Sequence, residues 1–99
     1  MRIQKTIENG VAVLNITGRL VSTTAADLET AIDSVLDEDN KLILDFSGVE
    51  YMASSGIRTL LLASKKIKAS DGLLILRNVN SDVMYVLEIT GLKDFLDIR

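Results

Sequence analysis

The run Ala53-Ser54-Ser55-Gly56 sets two hydroxyls and a glycine where a loop enters a predicted helix. Two readings fit those residue types. In one, Ser54 is an N-cap that accepts an amide hydrogen bond, and Gly56 allows close backbone packing. In the other, the free N–H groups and partial positive charge of the helix start favour a phosphate on Ser54. That modification adds about −1.5 to −2 of charge and three acceptor oxygens. A partner surface fitted to the neutral hydroxyl would then be repelled. Neighbouring residues have simpler readings: Tyr51 and Met52 as core or partly exposed plug residues, and Ser22, Thr23 and Thr24 as helix caps bordering the same edge. Asp45, after a buried strand, is either structural or holds that edge by hydrogen bonds.

Other chemistry has few residues to run on. The 99 residues include no His, Cys, Pro or Trp. A Ser-His-Asp or Cys-His catalytic set, a zinc finger, a redox CxxC pair and a disulfide framework are therefore impossible. Acid–base catalysis near neutral pH would need a strongly shifted carboxylate, lysine or tyrosine. The expectation is a protein that is not an enzyme. No GK[ST] follows Gly18 and no GxGxxG occurs, so no nucleotide cradle is predicted. Asp37-Glu38-Asp39 reads as a solvated turn rather than a metal site, and no cofactor is expected. A net charge of −3 suits phosphate-backbone binding poorly, so no nucleic acid partner is expected. Lys65, Lys66 and Lys68 instead complement the negative end of a helix.

The elements that must position Ser54 follow from periodicity. Leu, Ile and Val supply 33 of the 99 residues, enough for a core served by strands and helices. Ile3 to Ile7 alternates with polar residues, Asn9-Gly10 supplies a tight turn, and Val11 to Ile16 reads as a second strand closed by Gly18. Ala25, Leu28, Ile32, Val35 and Leu36 share a helical face. Lys41 to Phe46 suits a central strand, with a turn through Ser47-Gly48 and an irregular connection to Gly56. Ile57, Leu60, Leu61, Ser64 and Ile67 mark a second helix, and Leu73 to Leu76 a fourth strand. Asn80 or Ser81 caps a third helix built on Val83, Val86 and Leu87 and ended by Gly91, and Leu92 to Arg99 is a short tail.

The order is β-β-α-β-α-β-α, an α/β domain over residues 1–99 with a mixed, mostly parallel sheet and helices mainly on one face. Three loops, Gly18 to Thr24, Ser47 to Gly56 and Arg77 to Ser81, gather at the carboxyl edge of the strands, where ligands and partners of such sheets dock. No stretch is long and apolar enough to insert in a membrane, and Met1 to Lys5 has no signal-peptide core, so the expected address is cytoplasmic.

The run Leu42-Ile43-Leu44-Asp45-Phe46-Ser47-Gly48-Val49-Glu50-Tyr51-Met52-Ala53-Ser54-Ser55-Gly56-Ile57-Arg58 resembles the signature of STAS domains, the anti-sigma factor antagonist family. Gly18-Arg19-Leu20 with Thr23-Thr24-Ala25, and Leu87-Glu88-Ile89-Thr90-Gly91-Leu92, are similar to two further family segments. The resemblance implies partner switching. An unphosphorylated antagonist binds an anti-sigma factor, itself a serine kinase of the histidine-kinase-like ATPase type, and so frees a sigma factor. The kinase phosphorylates the first serine of Ser-Ser-Gly, which matches Ser54, and a PP2C-type phosphatase reverses the step. Ser22, Thr23, Thr24, Met52, Ala53, Ser54, Ser55, Gly56 and Arg58 are then the expected partner-binding residues, on a chain expected to be a monomer when alone. Many relatives carry Asp before the phosphoacceptor and Asp after the Gly-x-Leu element, where this sequence has Ala53 and Val21. The alternative implied by the family is a non-phosphorylated subunit of a lipid-transport ABC complex or another scaffold.

Overall fold

A computed structural model describes all residues from Met1 to Arg99. The chain runs β1 (Arg2–Glu8), β2 (Val11–Leu20), α1 (Ser22–Leu36), β3 (Lys41–Met52), α2 (Ser54–Ala69), β4 (Leu73–Arg77), α3 (Ser81–Ile89), a 3-10 turn (Leu92–Phe95) and β5 (Asp97–Ile98). The five strands form one sheet in the order β1-β2-β3-β4-β5. β1 pairs antiparallel with β2, and every other pairing is parallel. This is the mixed α/β architecture expected from the alternation of strand and helix patterns.

Alternating side chains decide which face the helices cover. Ala12, Leu14 and Ile16 of β2, Leu42, Leu44 and Phe46 of β3, and Leu74 and Leu76 of β4 point to one side. There they join Leu28 and Ile32 of α1, Leu60 and Ile67 of α2, and Val83 and Leu87 of α3 in a single cluster of 21 buried residues. The other face is held by a polar bridge. Arg77 on β4 donates from Nε to Asp45 Oδ2 on β3 at 2.8 Å and from Nη1 to Glu8 Oε2 on β1 at 2.6 Å. A side chain linking β4 to β1 must pass over β3 and β2. Val13, on that face of β2 and outside the main cluster, is fully buried.

Asn9 and Gly10 both have positive φ (52° and 79°), as a two-residue hairpin turn requires. Three expectations are corrected. Gly18 does not close β2, because the strand continues to Leu20 through two register shifts against β3. Ser47-Gly48 is no turn either, since β3 stays extended to Met52. A side chain on Gly48 would collide with Thr17, so this glycine marks the close approach of β2 and β3 at their bulges. The C-terminal tail is not simple packing: Asp97–Ile98 adds a fifth strand beside Ile75 and Leu76. No helix is long and apolar enough to cross a membrane.

Candidate functional site

The pairing of β2 with β3 places Ser54. Gly18 opposes Val49, Arg19 opposes Tyr51 and Leu20 opposes Met52, so the two strands end at the same level. One residue past each strand a helix begins, at Ser22 and at Ser54. The Ala53 N–H donates to the Leu20 carbonyl at 2.8 Å and ties the two junctions together. Beneath α2, Gly56 is the seat: a Cβ there would lie 2.8 Å from Leu20 and Met52 side-chain atoms. Larger residues would lift the helix start from the sheet.

The N-cap of α2 is Ala53, and Ser54 is its first helical residue. This corrects the capping reading, in which Ser54 would accept an amide bond. Its hydroxyl is exposed and makes no hydrogen bond. The N–H groups of Ser54 and Ser55 donate to nothing outside the helix, and an α-helix offers them no partner inside. A free hydroxyl and two free amides thus share the positive end of a 16-residue helix.

At α1 the hydroxyls behave differently. The N-cap is Val21, and Thr24 reaches back from the third helical position. Its Oγ1 accepts from the Val21 N–H at 2.8 Å and donates to the Arg19 carbonyl at 2.7 Å. Ser22 and Thr23 are exposed and do not cap. Only Thr24 performs the role expected of all three.

The expected partner-binding set divides by depth. Ser22, Thr23, Ser54 and Arg58 are exposed, and Thr24, Ala53 and Ser55 are half-buried. Met52 and Gly56 are buried, so they shape the edge from below. Ser22, Ser55 and Arg58 converge on a cleft of about 300 Å³ between α1 and α2, bounded also by Glu29 and Thr59.

A third segment braces this edge. Asp45 is buried and accepts from the Ser47 N–H at 2.9 Å, from Arg77 Nε at 2.8 Å and from Asn78 Nδ2 at 3.1 Å. Burial pushes its carboxyl up, but the hydrogen bonds from Ser47, Arg77 and Asn78 together outweigh burial and hold it below the ordinary 3.8. The Arg77 guanidinium is pushed further up by Glu8 and Asp45 and stays charged. Asn80 caps α3 by accepting from the Val83 N–H at 2.8 Å and also donates to the Val49 carbonyl at 2.8 Å. Asp45 is therefore both structural and a brace for the edge. Sequence reasoning missed Arg77 and Asn78. A usable signal existed: Asp45 and Arg77 carry opposite charges at the matching ends of two apolar strands, and the register pairs them.

The STAS domain model matches residues 2–99. The chain belongs to the STAS domain family. The anti-sigma-F factor antagonist RsfB of Mycobacterium tuberculosis is 46% identical over 63 residues, 63% of this chain and 52% of that protein. The match thus spans about half of RsfB. The anti-sigma-B factor antagonist of Bacillus subtilis is 31% identical over 91 residues, covering 92% of this chain and 83% of its own. In fold, this STAS chain superposes on the anti-sigma factor antagonist SpoIIAA in its unphosphorylated form with a TM-score of 0.83 at 21% identity, covering 99% of this chain and 88% of SpoIIAA. The phosphorylated form of SpoIIAA, from Bacillus, gives 0.77 at 20% identity over 99% and 91%. At those identities the likeness to SpoIIAA concerns the STAS fold alone.

Proposed function

We propose that this protein is an anti-sigma factor antagonist whose binding is switched by phosphorylation of Ser54. The observation that carries the reading is the free Ser54 hydroxyl, exposed at the first position of a helix anchored by the Ala53–Leu20 bond and the Gly56 seat. A phosphoryl group transferred from ATP to Ser54 Oγ, with loss of the hydroxyl proton and departure of ADP, would lie near two free amides and the positive helix end. Phosphorylation would change the charge of the docking edge without removing any hydrogen bond that holds the fold. The relatives named as antagonists of anti-sigma factors support the partner class.

In this reading the unphosphorylated protein binds an anti-sigma factor serine kinase through Ser22, Thr23, Thr24, Ala53, Ser54, Ser55 and Arg58, with Met52 and Gly56 supporting them. A PP2C-type phosphatase restores the free hydroxyl. The protein works as a cytoplasmic monomer and performs no catalysis of its own. Ala53 and Val21 leave the two junctions without carboxylates, so a phosphate there meets no immediate like charge from those positions.

Incubation with the cognate kinase and ATP, followed by mass spectrometry, tests the assignment. The expected product carries one phosphate on Ser54, and the Ser54→Ala variant incorporates none. Full incorporation into Ser54→Ala would sink it. Co-purification with a membrane-associated ATPase in place of a kinase would favour a transport-complex subunit instead.

A further inference from the structure

The surface between the end of β3 and α3 exposes apolar groups that the fold does not use. Asp82, Tyr85, Val86 and Ile89 recur at helical spacing and form one stripe of α3. Tyr85 and Ile89 are each 63% exposed, beyond any other large apolar residue in the chain. Beside this stripe lies a cleft of about 240 Å³ lined by Glu50, Tyr51, Met52, Asp82, Val83 and Val86. Its floor is apolar, since Met52 and Val83 are buried and Val86 is half-buried.

The charges around the cleft are arranged by sign. Glu50 and Asp82 are exposed, and neither has an ion-pair or side-chain hydrogen-bond partner. On the β2 side, the Arg19 guanidinium stacks on the Tyr51 ring at 4.8 Å and brings positive charge there. We propose that this cleft docks a protein segment bearing an apolar anchor flanked by Lys or Arg. The anchor fills the floor between Tyr51 and Val86, and the cations face Glu50 and Asp82, away from Arg19. An acidic segment would leave both carboxylates facing like charge, a repulsion that specific interfaces avoid. Tyr51 and Met52 precede Ser54 by two or three residues. The cleft thus borders the strand end that leads into Ser54.

Assigning the segment to the same partner rests on the antagonist reading; the binding preference of the cleft does not. The test titrates the full ¹⁵N-labelled chain with a helical peptide of Leu and Lys, and with its Leu and Glu counterpart, following amide shifts. The Leu/Lys peptide should give saturable shifts at Glu50–Met52 and Asp82–Ile89, and the Leu/Glu peptide none. Glu50→Lys with Asp82→Lys should weaken binding at least tenfold. The control Asp37→Lys with Glu38→Lys makes the same change of net charge elsewhere and should leave affinity within twofold. Equal weakening in both double variants, shifts centred outside the cleft, or no saturable shifts would overturn the proposal. Ser54 phosphate incorporation is read separately by mass, so either reading can fail without the other.

Discussion

The two helix starts at the carboxyl edge of the sheet share a plan and differ in one hydroxyl. Both α1 and α2 follow their strand after a single apolar residue, Val21 or Ala53. Both stand over the paired ends of β2 and β3. At α1, Thr24 is consumed by the backbone, between the Val21 N–H and the Arg19 carbonyl. At α2, the anchoring comes from backbone and packing, through Ala53 to Leu20 and through Gly56 beneath, so the Ser54 hydroxyl is left free. A side chain that holds the fold together is a poor place for a reversible modification. One relieved of that duty can be modified while the scaffold stays intact.

Breaking the seat should give the largest effect. Gly56→Val forces branched carbons against Leu20 and Met52, and overpacking of that kind costs about 2 kcal/mol. Urea unfolding would show it as a lower midpoint, and wild-type stability would remove the seat from this account. Thr24→Val keeps the shape but strands the Val21 N–H and the Arg19 carbonyl. A loss of about 1 kcal/mol is expected by the same measurement. Ser54→Ala removes a hydroxyl that nothing uses, so its stability should stay within about 0.5 kcal/mol of wild type. If Ser54→Ala cost as much as Thr24→Val, the contrast between the two helix starts would collapse.

The brace behind the edge gives the subtlest prediction. The carboxyl of Asp45 lies below its ordinary value in the folded state, so the unfolded chain takes up the proton first as pH falls. Its contribution is complete above the unfolded value near 3.8 and is lost as pH drops through the lower folded one. Asp45→Asn should therefore flatten the acid limb of a stability-versus-pH curve below about pH 4, with little change of slope near neutrality. An unchanged acid limb would assign the acid sensitivity to other carboxylates.

Much of this was legible in one dimension. Asn9-Gly10 fixed the hairpin because few other pairs tolerate two positive φ angles. Apolar spacing near 3.6 marked the helices and mostly apolar runs marked the central strands, and Gly91, at φ 74°, ended α3 as read. The site was legible as a segment but not in its detail. Ser54 and its neighbour Ala53 compete for the cap position, and residue type favours Ser; the bond from Ala53 to Leu20, 33 positions earlier, decides against it. Ser47-Gly48 carries turn chemistry, yet ladder pairing with a bulged β2 overrides it. β5 has only two residues, too short for any period, and exists because Ile75 and Leu76 offer an open edge.

By itself, then, the sequence determined the alternation of strands and helices and the absence of His and Cys. It also put a Ser-Ser-Gly segment at a helix start, since composition and local periodicity are properties of neighbours along the chain. That α2 is anchored by Ala53 on Leu20 and by the Gly56 seat, which leaves the Ser54 hydroxyl free, was settled by tertiary structure. So were the braces from Arg77, Asn78 and Asn80 and the unpaired carboxylates beside Tyr51. The bonds from Ala53 to Leu20, from Arg77 and Asn78 to Asp45 and from Asn80 to Val49 join residues far apart in sequence, which the packed sheet brings together.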